Sequence, residues 1–202
     1  MNDQYYSREP SSKSRPLDCE FAYRGKTLRF VTDAGVFSRG ELDTGTRLLL
    51  DSLPERLAGE ILDLGCGWGP IGISLKSVFP ETAVTMVDVN LRAVELSRTN
   101  AERNGVQVTC LESDGFSALQ GRFFDTIITN PPIRTGKQTI YRMFSDAGQS
   151  LKDGGSLYLV IRKQQGAESC MKYLETIYPT VEKLNRSGGF WVIRARRTAA
   201  GS

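Results

Sequence analysis

The chain has 202 residues, 40% hydrophobic and 24% charged, with a net charge of +3 and no histidine. That size suits one globular domain with a full core, and the lack of histidine excludes a His-based triad, a His general base and a His metal ligand. Cys19, Cys66, Cys110 and Cys170 are scattered without a C-x-x-C pair, so no zinc site or disulfide framework is signalled and no metal is expected.

Residues 1–17 read as a polar, flexible arm without the apolar segment of a secretory signal. No run approaches membrane-spanning length, so a soluble, cytoplasmic protein is expected. "FAYRGKTLRFVTDAG" predicts a strand, a glycine turn and a second strand over residues 27–32. "GVFSRGELDTGT" is a glycine-punctuated loop, and "RLLLDSL" a short helix capped by Thr44 or Thr46. These elements form an extension, 18–58, on a single domain over 18–197, followed by a tail at 198–202.

From Glu60 apolar strands alternate with amphipathic helices. "EILDLG", "TAVTMVD", "VQVTCLE", "FFDTIIT" and "SLYLVIR" predict strands. "PIGISLKSVF" predicts a helix with Pro70 in its first turn. "LRAVELSRTNAERNG" predicts one between an Asn90 cap and Gly105. "KQTIYRMFSDAGQSLKDGG" predicts a helix ending in glycines, and "GAESCMKYLETIY" another. "TVEKLN" and "FWVIRAR" flank "RSGG" too closely for a parallel crossover, so they pair antiparallel. The pattern is α/β: an open, mostly parallel sheet with helices on both faces. Ligands in such sheets sit beyond the carboxyl ends of the strands, which brings the loops after Leu64, Val87, Leu111 and Thr129 into one cleft.

In "LDLGCGWGPIG", Gly65, Gly67 and Gly69 allow a tight turn and close approach of a ligand. Gly67 to Gly72 also fits the weak dinucleotide pattern G-x-G-x-x-G. Asp63, just before the glycines, favours a cationic ligand group over a pyrophosphate, and Pro70 removes an amide that a pyrophosphate would use. S-adenosylmethionine (SAM), with an ammonium and a sulfonium, fits better than NAD. Asp88 stands where a strand-end acid takes ribose hydroxyls, as either ligand would require. Asp114, Gly115 and Phe116 form the third loop, with Asp114 facing the adenine amine and Phe116 its ring.

"TNPPI" separates the ligands. An exocyclic amine is planar and weakly nucleophilic, and it becomes cationic as it is methylated. Two acceptors that bind its hydrogens orient the lone pair and stabilise that charge. Asn130 Oδ1 and the Pro131 carbonyl are such a pair, held rigid by the prolines. Pro132, Ile133, Phe37 and Arg134 are the candidate substrate contacts, with Phe37 either a lid or part of a small N-terminal core. Arg24, Lys26, Arg29, Arg39 and Arg47, together with Arg134, Lys137 and Arg142, are candidates for a basic rim facing RNA phosphates.

The ordered set "DLGCGWG", "VDVN", "SDGF" and "NPPI" resembles the class I SAM-dependent methyltransferases. "GVFSRGELDTGTRLLL" ahead of it and "IRTGK" behind it are more closely similar to the methyltransferase-small domain family, which includes guanine-N2 methyltransferases of small-subunit ribosomal RNA. The resemblance covers about residues 20–197. It implies a Rossmann-like seven-stranded sheet of order 3-2-1-4-5-7-6 whose last strand is antiparallel. It also implies SAM as methyl donor, leaving S-adenosylhomocysteine, and ribosomal RNA or the small ribosomal subunit as partner. The chain is expected to act as a monomer or weak homodimer.

Carried over by motif, Asp63, Gly65 and Gly67 hold the methionine end, Asp88 the ribose, Asp114 the adenine, and Asn130 with Pro131 the target amine. Asp43 and Thr46 either join the methionine end or start the helix. Ile133 stands where the long ribosomal RNA enzymes have an aromatic. A protein glutamine, an adenine N6 or a small amine therefore stays open as acceptor, as does a non-catalytic SAM- or RNA-binding module.

Overall fold

The computed structural model describes residues 13–198. Residues 1–12 of the expected arm and 199–202 of the expected tail lie outside the described residues.

The extension opens with β1 (Leu17–Tyr23) and β2 (Lys26–Thr32), which alternate exposed and buried positions and pair antiparallel. The turn uses left-handed φ at Arg24 and Gly25, 44° and 79°, the geometry that matches strand twist in a two-residue hairpin. Arg24 is held there by its guanidinium, which donates to the Leu53 and Pro54 carbonyls. On the buried face Phe21 stacks on Phe30 at 5.0 Å, and Trp68 meets Phe30 edge-on at 4.9 Å. This aromatic cluster fixes the hairpin to the body of the domain.

The main sheet contains β3 (Glu60–Leu64), β4 (Ala83–Asp88), β5 (Thr109–Glu112), β6 (Phe124–Thr129), β7 (Leu151–Arg162), β8 (Thr180–Ser187) and β9 (Phe190–Arg196). Its order is β5-β4-β3-β6-β7-β9-β8. Strands β3 to β7 run parallel, and β9 is antiparallel to both its neighbours. Counted from β3, this is the expected order. The central strands are buried on both faces, as their continuous apolar runs require.

Helices α1 (Thr44–Asp51), α2 (Pro70–Val78) and α3 (Leu91–Arg103) cover one face together with the hairpin. Helices α4 (Lys137–Ser150) and α5 (Ala167–Leu174) cover the other. Asn100 on α3 and Asn104 at its C-cap, one turn apart, extend the sheet logic to β2. Asn100 bonds both the amide and the carbonyl of Val31, and Asn104 does the same to Arg29. Each side-chain amide thus stands in for a neighbouring strand.

Several boundaries differ from expectation: β1 begins at Leu17, inside the expected arm, and α5 ends at Leu174, short of the expected Tyr178. Asp43, rather than Thr44 or Thr46, caps α1: its carboxylate accepts the Thr46 amide at 3.0 Å. Helix α4 stops at Ser150, and "LKDGG" belongs to β7, where it shifts the register against β6. Gly155 is needed there because a Cβ would stand 2.9 Å from the Lys152 carbonyl oxygen and 3.0 Å from that of Asp125. Among the described residues no helix is long and apolar enough to cross a membrane, and no cluster is arranged to hold a metal ion.

Candidate active site

Parallel strands put the loops after β3, β4, β5 and β6 at one edge of the sheet. Hydrogen bonds lock them together. The Gly65 and Cys66 amides share the Val87 carbonyl. The Ser113 amide donates to the Asp88 carbonyl, and Thr129 Oγ1 donates to the Leu64 carbonyl at 2.7 Å.

Gly65 and Gly67 adopt left-handed φ of 76° and 57°, and a Cβ at either would meet nothing within 4 Å. Gly115 in the third loop is alike, with φ 55° and open space. These three leave open space beside the backbone at the carboxyl edge of the sheet. Gly72 differs: a Cβ there would lie 2.6 Å from Met86 Sδ. It is a packing glycine, as is Gly69, whose Cβ would lie 2.7 Å from Ile73 Cδ1, so within the G-x-G-x-x-G pattern only Gly67 borders open space.

Asp88 accepts the Gly67 amide on Oδ2 and the Asn90 amide on Oδ1, each at 2.9 Å. Burial pushes its acid range up, while the backbone donors pull it back. A carboxylate offers about four acceptor positions, so Asp88 keeps capacity for a hydroxyl. Asn90 serves as the α3 cap, accepting from Arg92 and Ala93, and also donates to the Gly35 carbonyl.

Asp63 is fully buried behind the first loop. Oδ2 accepts the Gly72 amide at 2.9 Å. Oδ1 has no donor among the described residues, and burial, with the Asp88 charge adding to it, pushes the carboxyl up to about 7. A buried acceptor without a donor fits a cationic ligand group, such as the ammonium of SAM.

Asp114 is exposed at the lip of the third loop, its amide bonded to Ser117 Oγ. Phe116 and Ile133 are half-buried and pack on the α4–α5 side core. Pro131 is buried and Pro132 half-buried; the Pro132 carbonyl accepts from Thr135 N and Oγ1. Arg134 lies in the following helical turn (Ile133–Thr135), and its side chain is outside the described residues.

Asn130 carries the most informative geometry. Its Nδ2 donates to Asp43 Oδ2 at 3.1 Å and to Thr46 Oγ1 at 3.0 Å. No donor among the described residues reaches Asn130 Oδ1 or the Pro131 carbonyl, so both acceptors are unspent. Thr46 is buried in the first turn of α1, with its hydroxyl engaged by Asp43 and Asn130. Sequence reasoning missed the Asp43–Asn130 link.

Phe37 is 40% exposed, which removes the N-terminal core reading. Its carbonyl accepts Trp68 Nε1 at 3.0 Å, anchoring the loop. Trp68 itself is core. The expected basic rim is redistributed. Arg24 and Arg47 donate to backbone carbonyls of the extension, Arg39 to the Arg15 carbonyl just ahead of it, and Arg29 pairs with Glu20. These side chains knit the extension together. A concavity of about 610 Å³ at the opposite end of the sheet is lined by Lys26, Arg29, Lys76 and Arg103. Arg29, Lys76 and Arg103 are already engaged.

The sheet order, the glycine loop, the strand-end Asp88 and the N-P-P corner together define a class I SAM-dependent methyltransferase. Residues 27–194 match the model of the methyltransferase small domain, and the chain belongs to that family. It is 44% identical over 200 residues to the uncharacterized protein YbxB of Bacillus subtilis, covering 98% of this chain and all of that one. It is 40% identical to the ribosomal RNA small subunit methyltransferase C of Hahella chejuensis over 79% of this chain and 50% of that protein. The chain therefore spans about half the length of the ribosomal RNA enzymes it matches. A 16S rRNA N2 methyltransferase of T. thermophilus, solved with AdoMet and guanosine, superposes with a TM-score of 0.81 at 27% identity. That match covers 92% of this chain and 51% of the other.

Proposed function

We propose that the protein methylates the exocyclic N2 amine of a guanine in small-subunit ribosomal RNA, free or assembled into the subunit. The observation that carries this reading is the acceptor pair: among the described residues no donor reaches Asn130 Oδ1 or the Pro131 carbonyl, while the Asn130 nitrogen is tied back by Asp43 and Thr46. The choice of guanine in RNA is supported by the named activities of the relatives and by the guanosine held in the T. thermophilus enzyme.

When bound, SAM supplies an electrophilic methyl group on its sulfonium. Asp88 takes the ribose hydroxyls, Asp63 the ammonium, and Asp114 with Gly115 and Phe116 the adenine. Asn130 Oδ1 and the Pro131 carbonyl accept the two amine hydrogens, aim the lone pair at the methyl and stabilise the positive charge that grows on nitrogen. The product ammonium is acidic enough to lose its extra proton to water, so no histidine is needed. Pro132, Ile133 and Phe37 give apolar contact to the base, and Arg134 a phosphate contact. The protein works in the cytoplasm as a monomer or weak homodimer.

The test uses radiolabelled SAM with ribosomal RNA and small subunits from a strain lacking the gene. Label should enter N2-methylguanine at one position that wild-type RNA already carries modified. RNA from the deletion strain with an unchanged modification pattern overturns the reading.

A further inference from the structure

Asn130 serves as an acceptor only if its amide nitrogen faces away from the amine, yet the two ends of an amide are nearly the same shape. The surroundings of Nδ2 decide the orientation. Nδ2 lies 3.1 Å from Asp43 Oδ2 and 3.0 Å from Thr46 Oγ1. A carboxylate oxygen can only accept, so turning the amide over would set oxygen against oxygen.

Asp43 is itself fixed. Its Oδ2 accepts the Thr46 amide at 3.0 Å as the cap of α1. Gly45 brings the helix start close to its neighbours: a Cβ there would lie 2.7 Å from the Phe190 ring and 3.0 Å from Asp43 Oδ2. The helix start, Asp43 and the N-P-P corner are thus one rigid unit drawn from segments 87 positions apart.

We propose that Asp43 is a positioning residue for Asn130. It sets the amide orientation, and its charge polarises the amide so that Oδ1 is more negative where the target nitrogen turns cationic. The inference rests on the reading of Asn130 as the amine acceptor.

Asp43→Ser tests it, because serine keeps the helix cap but is too short to reach Asn130. The first readout is the Asn130 side-chain amide pair in a nitrogen-proton NMR spectrum, assigned by its loss in Asn130→Ala. Asp43→Ser should move these signals while the melting temperature and SAM affinity hold. The second readout is kcat on ribosomal RNA, expected to fall about 100-fold, the cost of a misaimed reactive group. In an Asn130→Ala background the same serine substitution should cost almost nothing further. Asp43→Asn, which keeps length but not charge, should fall between wild type and Asp43→Ser. Unmoved amide signals, or a loss that simply adds to that of Asn130→Ala, overturn the proposal. If wild-type protein methylates no ribosomal RNA, the guanine reading fails, and the amide signals alone decide whether Asp43 orients Asn130.

Discussion

The Gly67 amide donates to Asp88 Oδ2 at 2.9 Å, so the carboxylate expected to take the ribose also holds the glycine loop in shape. The other oxygen does the same for the Asn90 amide. In the proposed reaction one side chain thus serves both cofactor recognition and loop geometry. Replacing Asp88 by alanine removes the hydroxyl acceptor and strands two backbone donors. SAM affinity should fall on the order of 100-fold, the scale of two hydrogen bonds to a charged acceptor. Asp88→Asn, which retains one acceptor, should lose less. Titration calorimetry with SAM checks both, and full affinity in Asp88→Ala contradicts the assignment.

Asn130 separates chemistry from binding. Its side chain faces the target amine in the proposed reaction and makes no claim on the donor. Asn130→Ala should lower kcat by about 100- to 1000-fold, the loss typical of one preorganised acceptor or donor at a charge that develops in the transition state. SAM affinity should stay within about threefold of wild type, below the loss of one net hydrogen bond. Single-turnover kinetics and calorimetry on the same preparation measure the two quantities. Parallel losses in both would mean that Asn130 belongs to the cofactor pocket.

The chain states its sheet plainly because burial on both faces demands largely apolar runs, and runs such as "LYLVI" leave little choice. It states the glycine loop, Asp88 and the Asn90 cap because their partners lie close in sequence. It does not state the Asp43–Asn130 bond, since nothing local to either residue encodes a partner 87 positions away. "KDGG" misled for a related reason. Two glycines after a helical pattern read as a cap, and only the approach of the Asp125 carbonyl shows that they serve a strand irregularity. The arginines of the extension looked like a rim for phosphates. Their carbonyl and carboxylate partners become visible only once the hairpin folds back on the helices.

Two glycines, Gly65 in the first loop and Gly72 in the first turn of α2, should fail in opposite ways. Gly72→Ala places a methyl against the buried Met86 side chain, and overpacking of this kind costs about 1–3 kcal/mol. Its melting temperature should drop while SAM affinity, measured well below that temperature, is kept. Gly65→Ala meets open space but must hold φ at 76°, a strain of about 1–2 kcal/mol, and it projects its methyl toward the ligand. It should lose affinity out of proportion to stability. Thermal melts paired with SAM titrations test the contrast; the same ratio in both variants would refute this division.

Asp63 gives the fold a pH dependence whose sign follows from its burial. Its carboxyl is raised from an ordinary 3.8 to about 7 in the folded chain. Below pH 4 both folded and unfolded forms are protonated, and the contribution to stability is complete. As pH rises toward 7 the unfolded chain sheds this proton while the folded chain keeps it, so stability is lost across that window and levels off above it. A rise of this size corresponds to on the order of 4 kcal/mol. Asp63→Asn keeps an acceptor for the Gly72 amide and removes the titration. It should therefore flatten the slope and be more stable than wild type at pH 8. If Asp63 Oδ1 receives the SAM ammonium, binding also stabilises the carboxylate. Wild-type protein near pH 6.5 should then release a proton when SAM binds, and Asp63→Asn should not. Denaturant melts from pH 4.5 to 8 measure the slope, and calorimetry in buffers of different ionisation enthalpy counts the proton. Equal slopes in the two proteins contradict the burial argument. Equal proton release would remove Asp63 from the methionine end while leaving its effect on stability intact.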